Sequence, residues 1–172
     1  MTILTTRKDY EALPEGAPFE LHDGVLVKQP SPRYGHQRLQ VKVLAQLLPI
    51  FGADGRVVAG PVDVLIDELT VLVPDLVVLP APPDDDAQYV GVPVAVFEIA
   101  SLSTRGRDRE FKARRYLGLG VKEVWLIDGA EGVIDIVTCN GTRRAEGAQP
   151  AVSDVLPGLR LLPEELFARA SS

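Results

Sequence analysis

Three residues stand where chemistry explains them better than packing does. Asp75 interrupts the apolar run Pro74-Asp75-Leu76-Val77-Val78. Glu98 falls near the end of a second run, Val94-Ala95-Val96-Phe97-Glu98-Ile99. Lys112 lies in Asp108-Arg109-Glu110-Phe111-Lys112, which reads as the first turns of a helix. In a strand, alternate residues share a face, so Asp75 goes with Val73, Val77 and Leu79, while Leu72, Leu76 and Val78 lie opposite. Both faces are apolar, the pattern of a buried strand. An ionised carboxylate buried without a partner is costly, so Asp75 needs a cation or several donors. Pro74 cannot donate to a ladder, which implies a bulge or an unpaired stretch there. Glu98 shares a face with Val94 and Val96 and repeats the anomaly. If the two strands pair, both carboxylates converge on one cation. Mg²⁺ takes one or two carboxylates and leaves its other positions to water and substrate phosphate. Lys112 shares a helical stripe with Asp108, Phe111, Tyr116 and Leu119. Phe111 and Leu119 should face a sheet, which aims the lysine inward or along the edge of the contact. There it can neutralise charge growing on a phosphorane or orient an attacking water. Such a set fits a metal-dependent phosphodiesterase. Taken singly, Asp75 reads equally as a surface acid at a strand bend, and Lys112 as a stem covering apolar surface.

The elements that must position these residues follow from periodicity. Thr5 or Thr6 can cap a short helix through Tyr10 to Leu13, ended by Pro14. Phe19-Glu20-Leu21 and Val25-Leu26-Val27 flank His22-Asp23-Gly24, a hairpin signal. Leu39, Val43, Leu44, Leu47 and Leu48 recur at helical spacing between His36 and Phe51. Strands are expected at Arg56–Ala59, Val62–Ile66, Thr70–Leu79 and Val94–Ile99, with a loop from Pro80 to Asp86. A second long helix spans Asp108–Leu119. Val121–Ile127 and Gly132–Thr138 are further strands, and Asn140-Gly141 marks the turn after them. A short C-terminal helix covers Pro163–Ala168. No repeat or linker is visible. The expected fold is one mixed sheet with helices against it, an α/β or α+β domain over residues 1–172, with the N-terminal helix and hairpin within residues 5–28.

The chain has 172 residues, 46% of them hydrophobic, enough for a real core. No run approaches the roughly 20 apolar residues of a membrane span. Met1 to Tyr10 lacks an apolar signal core. Cys139 is the one cysteine; it cannot form an internal disulfide and fits a reducing cytoplasm. Following an expected strand, it reads as a small buried hydrophobe rather than a nucleophile. The net charge of -6 argues against nonspecific coating of nucleic acid. Between Thr104 and Arg115, however, six basic residues outnumber two acidic ones. This concentrates positive charge beside the candidate site, or makes a solvated, mixed-charge helix face.

At these residues the sequence resembles the Uma family of putative restriction endonucleases, within the PD-(D/E)XK nuclease superfamily. The resemblance is carried by Pro74-Asp75, Glu98-Ile99-Ala100-Ser101-Leu102-Ser103-Thr104, Asp108, Lys112, Tyr116 and Gly120-Val121-Lys122-Glu123-Val124-Trp125-Leu126-Ile127-Asp128. Upstream it includes Tyr10, Leu13-Pro14, Phe19-Glu20-Leu21, Asp23-Gly24, Ser31-Pro32 and His36-Gln37; downstream, Pro157-Gly158-Leu159 and Glu165-Leu166-Phe167. It implies a restriction-endonuclease-like fold in which Asp75 and Glu98 are the metal carboxylates. The superfamily usually places its lysine two positions after the second acid, where Ala100 stands; the family takes it from the next helix, which matches Lys112. Glu20 and His36 match recurring positions. The resemblance implies a further metal contact for Glu20 and a reach into the site for His36, each beside a structural reading in the hairpin or at the helix start. Leu102 stands where the family often has proline, and Val124 where it often has an aromatic.

The implied function is Mg²⁺-dependent hydrolysis of DNA phosphodiester bonds, with Mn²⁺ as a substitute. Cutting both strands of a duplex is most simply done by two copies of one site, so a homodimer is expected. A non-enzymatic alternative is a degenerate nuclease domain that binds a protein or nucleic acid without cutting. A glycoside hydrolase with paired carboxylates is disfavoured by the 6% aromatic content and by the lysine. No phosphate-cradling glycine loop or cysteine–histidine zinc cluster is present.

Overall fold

Thr6 opens the first helix. Its hydroxyl accepts from the Asp9 N–H, and the Asp9 carboxylate accepts from the Thr6 N–H, a reciprocal cap. That helix, α1, runs Arg7–Glu11 in this computed structural model, which describes residues 4–100 and 107–168. The expected hairpin follows as β1 (Phe19–His22) and β2 (Val25–Lys28). Asp23 and Gly24 at its turn have φ of 49° and 82°. Two positive φ values give a turn whose twist matches that of the strands. The next helix, α2 (Tyr34–Phe51), starts two residues ahead of His36 and buries Leu39, Val43, Leu47 and Phe51. Then come β3 (Val57–Ala59), β4 (Asp63–Asp67), β5 (Thr70–Leu72), β6 (Leu76–Val78), β7 (Tyr89–Val90) and β8 (Ala95–Ile99). The order ends with α3 (Arg107–Leu119), β9 (Glu123–Asp128), β10 (Val133–Thr138), β11 (Gly141–Glu146), β12 (Ala151–Val152), β13 (Arg160–Leu161) and α4 (Pro163–Phe167).

The fold is mixed α+β, and its central mixed sheet has the order β11-β10-β9-β8-β6-β3. Only β8 and β9 pair in parallel there. A parallel pair needs a crossover, and α3 lies between the two in sequence. The expectation of one sheet is corrected by a second, five-stranded sheet, β2-β1-β5-β4-β7, and by a small β12-β13 ribbon. The expected strand Thr70–Leu79 is in fact two. Its first half, β5, pairs with β1 and β4, whereas β6 pairs with β3 and β8. The break falls at Val73-Pro74-Asp75, where Pro74 has no N–H to give a ladder. The Val73 N–H turns to a side chain instead, donating to Glu20 Oε1 at 2.8 Å. The Asp75 carbonyl accepts from the Gly60 N–H at 2.8 Å and from Gln40 Nε2 at 2.9 Å. The chain therefore crosses from one sheet to the other at the first candidate carboxylate.

The two long helices cover opposite faces of the central sheet. Leu39, Val43, Leu47 and Phe51 of α2 pack with Leu76, Val78, Ala95, Phe97, Trp125 and Ile127. Ala113 and Tyr116 of α3 pack with Val77, Val96, Val124 and Leu126, and with Val64 and Leu72 of the second sheet. Leu21 and Val71 of that sheet pack with Tyr10 of α1. Near the C-terminus the structure adds one strand and corrects one expectation. The stretch after Asn140 is a strand, β11, whose residues are exposed except Ala145. A polar edge strand buries too little to show an apolar alternation. Cys139 is exposed in the turn before it, not buried in β10.

Candidate active site

The β6/β8 register sets Leu76 opposite Phe97. Continued by one pair, it sets Asp75 opposite Glu98, as cross-strand neighbours on one face. Asp75 Oδ2 accepts the Ile99 N–H at 2.7 Å, and Oδ1 lies 3.1 Å from His36 Nε2 in the first turn of α2. Burial pulls the His36 pKa down, but the hydrogen bond and charge of Asp75, with Glu98 behind it, outweigh that and raise it. His36 Nδ1 is buried and has no hydrogen-bond partner among the described residues.

Glu98 is tied to α3. Its Oε1 accepts from Lys112 Nζ at 2.8 Å and from the Tyr116 hydroxyl at 2.9 Å. Lys112 and Tyr116 are four residues apart, so they project from one side of the helix. Glu98 Oε2 has no hydrogen-bond partner among the described residues. Burial pushes the Glu98 pKa up to about 7; Asp75 and Glu20 push the same way, and Lys112 opposes them.

Lys112 is buried at the junction of the two sheets. Besides Glu98, its ammonium donates to Glu20 Oε1 at 2.9 Å and approaches the Val73 carbonyl at 3.4 Å. Three acceptors match its three N–H donors. Burial alone would favour the neutral amine, but two carboxylates outweigh it and raise the pKa above the usual lysine value. Glu20 is fully buried. Its Oε1 serves Lys112 and the Val73 N–H, and its Oε2 meets His22 Nε2 at 2.7 Å and Gln29 Nε2 at 2.8 Å. Burial pushes Glu20 up, yet Lys112, His22 and the Val73 N–H together hold it down at about 2. His22 in turn stacks on Phe111 with ring centroids 4.8 Å apart.

The structure thus joins Glu98, Lys112 and Glu20 in one chain of ion pairs and sets the Asp75–His36 pair beside it, tied through the N–H of Ile99, the residue after Glu98. Sequence reasoning did not give Tyr116, Gln29 or the Val73 peptide a part in it. Tyr116 had a readable signal, its place four residues after Lys112 on the same stripe. Gln29 had none, because a glutamine one residue past β2 breaks no pattern, and Val73 had none, because its peptide meets Glu20 from a segment 53 residues away. Of the basic segment, Arg109 pairs with Asp128, and Arg115 with Asp23 and Asp67. Arg105 and the Ser101-Leu102-Ser103-Thr104 stretch of the resemblance lie outside the described residues.

Among the described residues, no group of three or more His, Cys, Asp or Glu side chains could hold a metal. What the site offers is two opposed carboxylates, with Glu98 Oε2 uncommitted. This donor set fits a hard divalent cation of the Mg²⁺ type, which keeps several waters and takes substrate phosphate oxygens rather than a full protein cage. Among the described residues, no helix is long and apolar enough to cross a membrane.

The fold has a solved counterpart. A crystal structure of a putative nuclease belonging to DUF820 from Anabaena variabilis ATCC 29413 superposes with a TM-score of 0.79, covering 94% of this chain and 97% of that one at 20% identity. At that identity the likeness is one of fold. No curated protein matches the chain in sequence. The Uma2 family, described as "putative restriction endonuclease", matches residues 7–166. Nearly the whole described chain lies inside that match, and the chain belongs to the Uma2 family.

Proposed function

We propose that the chain is a Mg²⁺-dependent endonuclease that hydrolyses DNA phosphodiester bonds. The observation that carries this reading is the place of Asp75 beside Glu98, where Asp75 Oδ2 accepts the N–H of the next residue, Ile99, with Lys112 bound to Glu98. Asp75 and Glu98 would hold the ion, and Mn²⁺ would substitute for Mg²⁺. When bound, such an ion polarises the phosphodiester and lowers the pKa of water. His36 orients Asp75 through Nε2. Lys112 offsets the negative charge of Glu98 and Glu20 in a water-poor junction. Its 3.4 Å contact to the Val73 carbonyl is the weakest of its three. Exchanging that contact for a phosphate oxygen would place an ammonium where charge develops. Glu20, with both oxygens committed to donors, is assigned here as the anchor of Lys112 rather than as a metal contact. The molecule works in the cytoplasm as a homodimer, cutting the two strands with two copies of the site. The direct test is nicking and linearisation of supercoiled plasmid with Mg²⁺, Mn²⁺ or EDTA, beside calorimetric titration of either ion. Metal-dependent cleavage that Asp75→Asn abolishes is the expected result.

One observation favours a second reading. All three Lys112 protons are already taken by the protein, an arrangement that also suits a nuclease fold kept for binding a protein or nucleic acid without cutting. Such a module would take up no ion in the titration and leave plasmid intact.

A further inference from the structure

We infer that Tyr116 is a positioning residue for Glu98, holding Oε1 so that Oε2 stays available to a divalent cation. This rests on the reading of Asp75 and Glu98 as metal carboxylates. Tyr116 is fully buried, with its ring in the core between α3 and the central sheet. A buried phenol seeks a partner for its O–H, and this one donates to Glu98 Oε1 at 2.9 Å. Lys112 donates to the same oxygen at 2.8 Å. Two donors on one oxygen, both from α3, fix the carboxylate plane and leave the second oxygen without a partner among the described residues.

The tyrosine matters because the lysine is shared. Lys112 also serves Glu20 and Val73, and any move of its ammonium toward substrate loosens its hold on Glu98. Tyr116 has one O–H, and that O–H has one acceptor. It therefore keeps Glu98 in register while Lys112 exchanges partners. Groups that orient metal ligands from outside the coordination shell typically change metal affinity about 10- to 100-fold when removed.

The test is calorimetric titration of Mn²⁺ into the full chain without DNA, for wild type and Tyr116→Phe. Phenylalanine keeps the ring in its core position and removes only the donor. The expected result is a Kd for Mn²⁺ raised about 10- to 100-fold, with the circular dichroism spectrum retained. A lowered melting temperature with an unchanged Kd would mean that the hydroxyl serves only packing, and it would overturn the inference. Uptake by wild type with equal affinity in the variant overturns the role of Tyr116 alone. No uptake by wild type overturns the metal reading and the inference together. If Tyr116→Phe does not fold, 3-fluorotyrosine at position 116 replaces it: the more acidic hydroxyl donates more strongly and should shift the Kd, and an unchanged Kd counts against the inference.

Discussion

Asp75→Asn and Glu98→Gln keep the shape of each side chain and remove its charge, so they separate metal holding from packing. Each should abolish ion uptake and cleavage while the chain stays folded, as read by calorimetry, plasmid assay and circular dichroism. Lys112→Ala should behave differently. Cleavage should slow about 10²- to 10³-fold if the ammonium acts as a donor to developing charge. The structure adds a cost that sequence reasoning did not anticipate, because two buried carboxylates lose their common partner. Breaking a buried pair in this way costs about 3–5 kcal/mol, measurable by urea unfolding. Glu20 gives a pH test. Its carboxyl is held at about 2, below the ordinary 4.5. A group depressed in the folded state contributes stability that is present above pH about 4.5 and is lost as pH falls toward 2. That contribution is on the order of 3 kcal/mol. Glu20→Gln should therefore be less stable than wild type at pH 7, with the gap closing between pH 5 and 2 in denaturant titrations. If the gap is the same at both ends, the ion pair with Lys112 is not what stabilises the junction. The two strand acids were legible because each broke an apolar run. Glu20 was less so: in Phe19-Glu20-Leu21 a single acid between apolar residues looks like ordinary alternation with one face in water. Its burial depends on Lys112, Gln29 and Val73, which no local pattern announces.

Elements set these side chains through backbone contacts, and the tightest of them is at Gly60. A Cβ on Gly60 would lie 2.4 Å from the Pro74 carbonyl oxygen and 3.3 Å from that of Asp75. Backbone cannot yield as a flexible side chain does, so β3 and the Pro74-Asp75 segment would have to separate. Gly60→Ala should cost about 1–3 kcal/mol, the usual range for forced overpacking. It should also weaken Mn²⁺ uptake, because Asp75 moves with its peptide. Thermal melts and calorimetry check both, and uptake unchanged despite a lower melting temperature would show that Asp75 is held by its side-chain contacts alone. The same segment shows where sequence reasoning stopped. Pro74 signalled a break in the ladder, but not that the strand would divide between two sheets, since which partner each half finds depends on β1 and β3, remote in sequence. The long helices α2 and α3 were readable from their apolar stripes. Strand β11 was missed because Gly141–Glu146 buries only Ala145.

At the scale of the whole molecule, α2 offers a surface for assembly. Its 18 residues include no acid. The side chains of Arg38 and Lys42 are turned to α4, donating to the carbonyls of Glu165, Leu166 and Ala168. The solvent side includes Tyr34, Val41 and Leu48, exposed by 81%, 65% and 47%. They are spaced by seven residues, so they lie nearly in line along the helix. The spacing is also symmetric about Val41. An antiparallel pairing of two α2 helices around a twofold axis at Val41 would set Tyr34 of each copy against Leu48 of the other. This is the self-complementary arrangement that a two-fold interface requires. A second copy suits this face better than a charged partner, because the stripe itself carries no charge to be complemented. His36 lies two residues from Tyr34, so the pairing would hold the two candidate sites in a fixed relation, as cutting both strands of a duplex demands. Analytical ultracentrifugation should show a dimer in the micromolar range. Val41→Glu would bring two carboxylates together on the axis, with the neighbouring cations Arg38 and Lys42 already engaged by the carbonyls of Glu165, Leu166 and Ala168. It should yield monomer with the wild-type circular dichroism spectrum, because Val41 is exposed and contributes little to the core. A wild-type chain that stays monomeric throughout that range removes the homodimer, while a Val41→Glu variant that still dimerises moves the interface away from α2.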